Sequence, residues 1–351
     1  MQLPPGTYNT SYSQDMAVVR TRLQWVLLIV FLLFVFVAIP QIANRFWLSV
    51  LINIAIWIVA TQGLNILLGY CGVPSMGHAG FMAVGAYTTA ILGARYDLPF
   101  WVAMPCAGLA AAAVGAAFGV AALRVKTFYI VLATIAAALI IQYLISLFPS
   151  VTGGPMGIVV QPAKIGGIVL DHAKDFYYLA MAMAVLGTVF ALNLARTRVG
   201  RALVAIRDNA IAAEAMGVNI LLYKTIAFGI CCFYAGIAGS LMAYYMMFVN
   251  TDLFTFDQSI WLMGTVLIGG AGTTVGPIFG TTFIQLLKQG IGRLGPKLVE
   301  AFPSVGAGVI AAIAPAVFGL VLMLVFIFEP RGLAHRWALF KAHYRMFPFS
   351  S

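Results

Sequence analysis

The sequence predicts an all-α, polytopic membrane protein with about ten transmembrane helices. Three observations carry that prediction. Sixty-two per cent of the 351 residues are hydrophobic, only 9% are charged, and the apolar residues fall in long unbroken runs. A soluble domain is roughly 45–50% apolar and about 25% charged, so this chain has too few polar residues to coat a water-facing surface. Its mean hydropathy is +1.00. In lipid only helices and closed barrels satisfy their backbone hydrogen bonds. Barrel strands alternate in polarity, whereas these runs are continuous and rich in Leu, Ala, Ile and Val.

The runs come in order at 25–39, 48–69, 79–94, 100–123, 127–148, 176–195 and 223–249. Two shorter ones follow, 259–270 and 277–287, separated by a Gly-rich stretch, and the last is 305–328. A span needs roughly 20 residues, so the short pair reads as two crossings or as one. Charge decides between them. Arg20 and Arg22 precede the first run, Arg196, Arg198, Arg201 and Arg207 follow the sixth, and Arg331, Arg336, Lys341 and Arg345 follow the last. Basic loops stay in the cytoplasm, so both ends belong inside and the count is even. Ten crossings satisfy this and put Arg293 and Lys297 outside; nine put the basic C-terminal end outside. The expected organisation is a cytoplasmic segment 1–24, a transmembrane domain 25–333 with a cytoplasmic loop 196–222, and a cytoplasmic tail 334–351. No soluble domain, internal repeat or cleavable signal peptide is visible.

The net charge of +10 reads as retained basic loops, not as a nucleic-acid surface. Cys71, Cys106, Cys231 and Cys232 all lie in or beside apolar runs, which is not a disulfide framework. No metal set accompanies the lone His78, and no cofactor motif is present. Near the middle of the runs we find no Asp, Glu, Lys or Arg, the residues that ion-coupled transporters use as relays. Asn53, Gln62, Asn65, Gln142 and Asn193 read as interhelical bonds or caps. The stretch 269–277 has no Lys and is not a phosphate loop. Energy for any active transport must come from a partner.

The most informative segment is 198–219. Asp208 or Asn209 can cap a helix, 210–216 is strongly helix-forming, and Gly217 stands where a left-handed C-terminal cap is wanted. A short helix in a basic loop either rests on lipid headgroups or docks a cytoplasmic partner. Ile206, Ala210, Ala213 and Gly217 fall on one side at helical spacing.

This segment resembles the cytoplasmic loop of ABC importer permeases, in particular branched-chain amino-acid permeases of the LivM type. Glu214-Ala-Met-Gly217 corresponds to their coupling motif. Further ordered matches are Gly63-Leu-Asn65-Ile-Leu-Leu-Gly69-Tyr-Cys-Gly72, Ser75-Met-Gly77-His78-Ala79, Thr152-Gly153-Gly154 with Gly157, Leu267-Ile-Gly269-Gly270-Ala-Gly272 with Gly276-Pro277, and Glu329-Pro-Arg-Gly-Leu333. Val73-Pro74 and Pro155-Met156 depart from the family pattern and leave the substrate open.

The resemblance implies a large, type II-like importer-permease fold in a bacterial inner membrane. It implies a related LivH-type permease subunit, two cytoplasmic ABC ATPase subunits and a periplasmic substrate-binding protein, with ATP hydrolysed by the ATPases and not by this chain. It assigns Arg201, Arg207, Asp208, Glu214 and Gly217 to ATPase coupling, with Arg201 and Arg207 available to acidic groups on the ATPase.

Broken helices near the bilayer centre often line substrate paths, which makes Gly72, Ser75, Gly77, His78, Gly269, Gly270 and Gly272 path candidates. Close packing through glycine is the other reading. His78 either satisfies carbonyls freed at its break or lines the path. Thr152, Gly153 and Gly154 form a binding-protein contact, an outer gate or a plain turn. Branched-chain amino acids lead as substrate, with urea, short amides and aromatic acids behind them. A passive channel for a small neutral solute explains the missing relays but has no use for a docking helix.

Overall fold

The computed structural model describes residues 22–122, 127–165, 168–169, 172–301 and 307–346. Helix α1 runs Arg22–Leu33 and continues through a π-helical Phe34–Ala38 into Ile39–Ile42. Helix α2, Arg45–Asn65, also ends in a π-helical segment, Ile66–Tyr70. Then come α3, His78–Tyr96; α4, Phe100–Ala122; and α5, Thr127–Leu147. The loop beyond holds short strands β1, Ile158–Val159, β2, Lys164–Ile165, and β3, Ile168–Val169. Helix α6 is Ala173–Arg196, followed by α7, Arg198–Asp208, and α8, Ala210–Ala215. Helix α9, Ile220–Met246, leads to β4, Phe248–Val249, then α10, Phe256–Gly269, and α11, Gly276–Ala301. The last helices are α12, Ala307–Phe328, and α13, Leu333–Met346.

Helices α2 and α9 form the axis of the bundle. Within the 18-residue apolar stretch of each span, 89% of the residues are buried in Arg45–Tyr70 and 78% in Ile220–Met246, against 11% in Trp25–Ile42. Helix α9 packs on α2, α3 and α4, while α2 also packs on α6 and α11. Such close packing between apolar helices needs small residues, because lipid is as apolar as a Leu side chain and complementarity decides association. At the α3–α9 crossing a Cβ on Gly85 would fall on the backbone of Gly236.

Two helices start inside the bundle. After Tyr70 the chain turns at Gly72 and runs back to His78, whose ring bonds to the carbonyl of Ala60. Ala60 is ten residues from Tyr70, about 15 Å at 1.5 Å per residue. Helix α3 therefore begins at depth. Helix α10 reaches the same level from the other side, where the hydroxyl of Ser259 accepts from the Ala79 N–H at 3.0 Å. That bond satisfies one of the N–H groups left free at the start of α3.

Among the described residues, six helices are long and apolar enough to cross a membrane, or seven if the α12–α13 pair, bent by 42°, is taken as one span. The expectation of ten counted α3, α10 and α11 as full crossings. Helix α10 has only 14 residues, and α11 carries Lys288, Arg293, Lys297 and Glu300, so neither qualifies on length and composition. The region expected as a tail, 334–351, is helical through Met346 and packs on α11, with Trp337 against Phe279 at 5.8 Å between ring centres. Residues 1–21 of the expected N-terminal segment lie outside the described residues.

Replacing Gly236 by Val should destabilise the bundle by about 1–3 kcal/mol or more, the usual result of overpacking. The check is the melting temperature of the purified chain in detergent; Gly93→Val, where open space surrounds the glycine, should melt close to wild type.

Candidate functional site

The loop between α6 and α9 is built from three side-chain caps. The Thr197 hydroxyl accepts from the Gly200 N–H at 3.3 Å and starts α7. The Asn209 carboxamide oxygen accepts from Ala212 at 3.0 Å and starts α8. Asn219 does the same for α9, accepting from Leu222 at 3.0 Å. Gly217, at φ +85°, closes α8. There the Val218 N–H donates to Ala213 and the Gly217 N–H to Glu214, the paired bonds of a left-handed C-terminal cap.

The one-sided face expected through Ile206, Ala210, Ala213 and Gly217 is interrupted at Asn209, whose extended backbone separates α7 from α8. Leu203, Ile206 and Ala213 are buried. Glu214 and Gly217 face outward, with Ile211 81% and Met216 86% exposed. A six-residue helix thus presents two large apolar side chains beside a carboxylate.

Arg207, at the end of α7, points inward. Its Nη1 donates to the carbonyl of Gly69 at 2.8 Å, and its Nε donates to Asp208 at 2.9 Å. These bonds are made within the chain, because α7 ends against the π-helical end of α2. Arg201 is exposed, with Nη1 donating to the Arg196 carbonyl at 2.9 Å.

Around Arg207 the Gly-rich breaks meet. Asn65, fully buried, accepts from the Gly272 N–H at 2.9 Å and donates to the Thr273 carbonyl at 2.9 Å. Gln62 donates to the Thr274 carbonyl at 2.9 Å. Both amides, expected to bond between helices or to cap them, tie α2 to the turn between α10 and α11. A Cβ on Gly69 would collide with Gly272, and one on Gly270 would press on Arg331 and Ala334. Gly72, Gly269, Gly270 and Gly272 thus gather at the α7 end of the bundle, not at its centre where the broken-helix argument put them.

Ser75, Gly77 and His78 do lie deeper, but all three are buried. The N–H of Met76 donates to the Thr134 hydroxyl at 3.1 Å. His78 holds the Ala60 carbonyl at 3.0 Å through Nε2 and faces the Cys231 sulfur at 3.5 Å through Nδ1. The carbonyl that His78 holds lies within α2, not among those freed at the break.

At the opposite end, Thr152 closes a turn by donating to the Phe148 carbonyl at 2.9 Å and accepting from Gly154 at 3.1 Å. Gly153 and Gly154 both have positive φ. Next to them β1 pairs antiparallel with β4, and Arg95 at the end of α3 donates to the Ser150 carbonyl.

One polar group escaped the sequence reading. The ammonium of Lys288 on α11 lies 3.9 Å from the ring centre of Trp261 and 4.5 Å from that of Trp57. Trp261 in turn donates its indole N–H to Asp257 at 3.0 Å. The apolar run 277–287 stops one residue short of Lys288, which made the lysine look like a boundary. Trp57 stands midway along the 26-residue span Arg45–Tyr70. The expectation of an interior without ionisable groups is corrected at this point. Among the described residues no group of three or more His, Cys, Asp or Glu is placed to hold a metal ion.

Comparison with known proteins settles the family. Residues 46–328 match the family described as "Branched-chain amino acid transport system / permease component". The chain belongs to this permease family. It is a membrane-spanning component of an ABC transporter and not a catalytic subunit.

The high-affinity branched-chain amino acid permease LivM of Escherichia coli K12 is 32% identical over 287 residues, covering 75% of this chain and 68% of that protein. The probable LivM of Methanocaldococcus jannaschii is 24% identical over 324 residues, 81% of this chain and 92% of that protein. The ribose import permease RbsC of Escherichia coli K12 matches at 29% over 119 residues, 32% of this chain and 37% of that protein. The chain spans about two thirds of the length of the enterobacterial LivM proteins. No solved structure matches.

In this permease the Asn65 bonds are the test of how firmly the breaks are held. Asn65→Leu keeps the branched shape but leaves the Gly272 N–H and Thr273 carbonyl without their side-chain partner. The turn is part-buried, so the expected cost is about 0.5–1.5 kcal/mol per lost hydrogen bond, read as a fall in melting temperature in detergent.

Proposed function

We propose that this chain is one of two permease subunits of an ATP-driven importer, and that it carries branched-chain amino acids handed over by a periplasmic binding protein. The observation that carries the reading is the exposed helix α8, joined through α7 and Arg207 to both Gly-rich breaks. A helix resting on lipid needs only an apolar underside. This loop has a buried underside and also an exposed crest of Ile211, Glu214 and Met216, which suits a cleft in a cytoplasmic ATPase.

Closure of the ATPase pair on ATP displaces α8. Helix α7 moves with it through the Asn209 junction, and Arg207 pulls on the Gly69 carbonyl. Asn65 passes the displacement to 272–273 and so to the facing ends of α10 and α11. Covalent continuity carries it to α6 and α9. In this scheme Arg207 and Asp208 position the loop, Arg201 remains free to meet acidic groups of the ATPase, and Glu214 and Gly217 shape the docking crest. Thr152, Gly153 and Gly154 form the opposite end, where the binding protein docks or an outer gate closes.

Ten crossings with both termini in the cytoplasm of a bacterial inner membrane fit this scheme. If the Arg207 end is inside, α2 runs inward and α3 outward. Arg293 then lies outside, and its guanidinium carbon sits 4.2 Å from the ring centre of Phe46 at the start of α2, as the charge count requires. The substrate class is supported by the LivM proteins, and a LivH-type subunit is the partner the family resemblance implies.

Co-purification of the chain with ATPase subunits, together with uptake in proteoliposomes, tests the proposal. Glu214→Lys should abolish ATP-dependent uptake of leucine while the chain still inserts and melts near wild type. Gly217→Pro, which cannot adopt φ +85° or donate to Glu214, should abolish uptake by unmaking the α8 cap while the chain still inserts. Wild-type ATPase association and uptake in both variants contradict docking through α8. Rapid solute flux in liposomes holding this chain alone indicates a passive channel instead.

A further inference from the structure

The charged group at Trp261 has no role in the loop or in the knot around Arg207. Asp257 is exposed and Lys288 half-buried, yet both belong to the depth at which α3 begins. Ser259, two residues beyond Asp257, caps Ala79, and Lys288 touches the midpoint of α2. Ionisable residues at such depth are costly against lipid and face water or protein instead. The α10–α11 face that carries them is therefore turned away from the bilayer, toward a water-filled path or a facing subunit.

The local chemistry says what this face can bind. Among the described residues the Lys288 ammonium, which has three N–H donors, has no hydrogen-bond acceptor and no carboxylate within ion-pair distance, although the Asp257 charge acts on it from further away. It rests on two indole faces. Asp257 accepts one bond, from the edge of one of those indoles, and retains acceptor capacity. A cation and an anion thus flank Trp261, with the second indole alongside. The complementary ligand carries a carboxylate, an ammonium close to it, and a compact apolar group.

We infer that Lys288, Asp257, Trp57 and Trp261 form a station on the translocation path that takes a free α-amino acid as its zwitterion. Lys288 receives the carboxylate, Asp257 the ammonium, and the indoles the aliphatic side chain. The inference rests on the importer reading and moves the path from the glycine breaks to the α10–α11 face. A purely structural role, in which a facing subunit supplies an acid to Lys288, is the competing account.

The test uses the complete transporter in proteoliposomes, with permease pair, ATPases and binding protein, supplied with labelled leucine or labelled urea. Lys288→Gln should assemble and lower leucine uptake about tenfold or more, as loss of a hydrogen bond to a charged group predicts. Asp257→Asn should do likewise. Lys288→Arg, which keeps the charge, should restore much of the rate. Leucine uptake at the wild-type rate in assembled Lys288→Gln overturns the station. If Lys288→Gln fails to assemble, wild-type uptake by Asp257→Asn overturns it. Equal loss in assembled Lys288→Gln and Lys288→Arg also overturns it, in favour of the structural role. A wild-type complex that imports urea but not leucine overturns the station and leaves the importer standing. A complex that imports neither with ATP removes the importer reading and the station with it.

Discussion

The fold of this permease turns on one bond, from the Arg207 guanidinium to the carbonyl of Gly69. A π-helical turn ends α2 just there, and the carbonyls at the end of a helix lack intrahelical donors. A charged donor meets that need well, since hydrogen bonds to charged groups are worth about 1.5–3 kcal/mol, more than neutral ones. Arg207 is partly exposed, with 37% of its side chain open, so screening reduces its share. Its importance is geometric. It is the point at which the loop between α6 and α9 meets the membrane bundle.

What the bond holds is itself held from beneath. Asn65 and Gln62, one helical turn apart on the buried axis, supply three bonds to the backbone of 272–274. Backbone in a tight turn at the end of a bundle has no ladder to join, and leaving it unpaired is costly. The side chains of α2 take the place of that ladder. Glycine at 69 and 272 lets the two backbones approach closely enough for it. The result is a continuous set of bonds joining the loop, α2 and the α10–α11 turn.

Much of this was legible in the sequence. Continuous apolar runs gave the helices, because lipid allows few alternatives. The left-handed cap at Gly217 and the Asn209 cap followed from local backbone chemistry, which tertiary contacts rarely override. Asn65 was recognised as a packing group, but its partner 207 residues away has no local signature.

The glycine breaks were located along the chain, but glycine spacing carries no information about height in the bundle, so nothing in the sequence separated Gly72 and Gly272 near Arg207 from the deeper Gly77. The family resemblance offered Arg207 to a partner's acids; its bond to the Gly69 carbonyl depends on the packing of α7 against α2 and has no signature in the sequence. Lys288 was missed for a simpler reason. A hydropathy window treats a lysine as the end of a run, whereas two indole faces can receive it inside one.

The central claim is that α8 and the α10–α11 turn move as one body, fixed through Arg207. Spin labels at Ala215 and Ala271, both exposed, measure it by double electron–electron resonance in the assembled transporter. The account predicts one narrow distance in the nucleotide-free and ATP-bound states, while the distance from Ala271 to a label at Val151 changes. A change in the Ala215–Ala271 distance between the two states, with Arg207 intact, contradicts it.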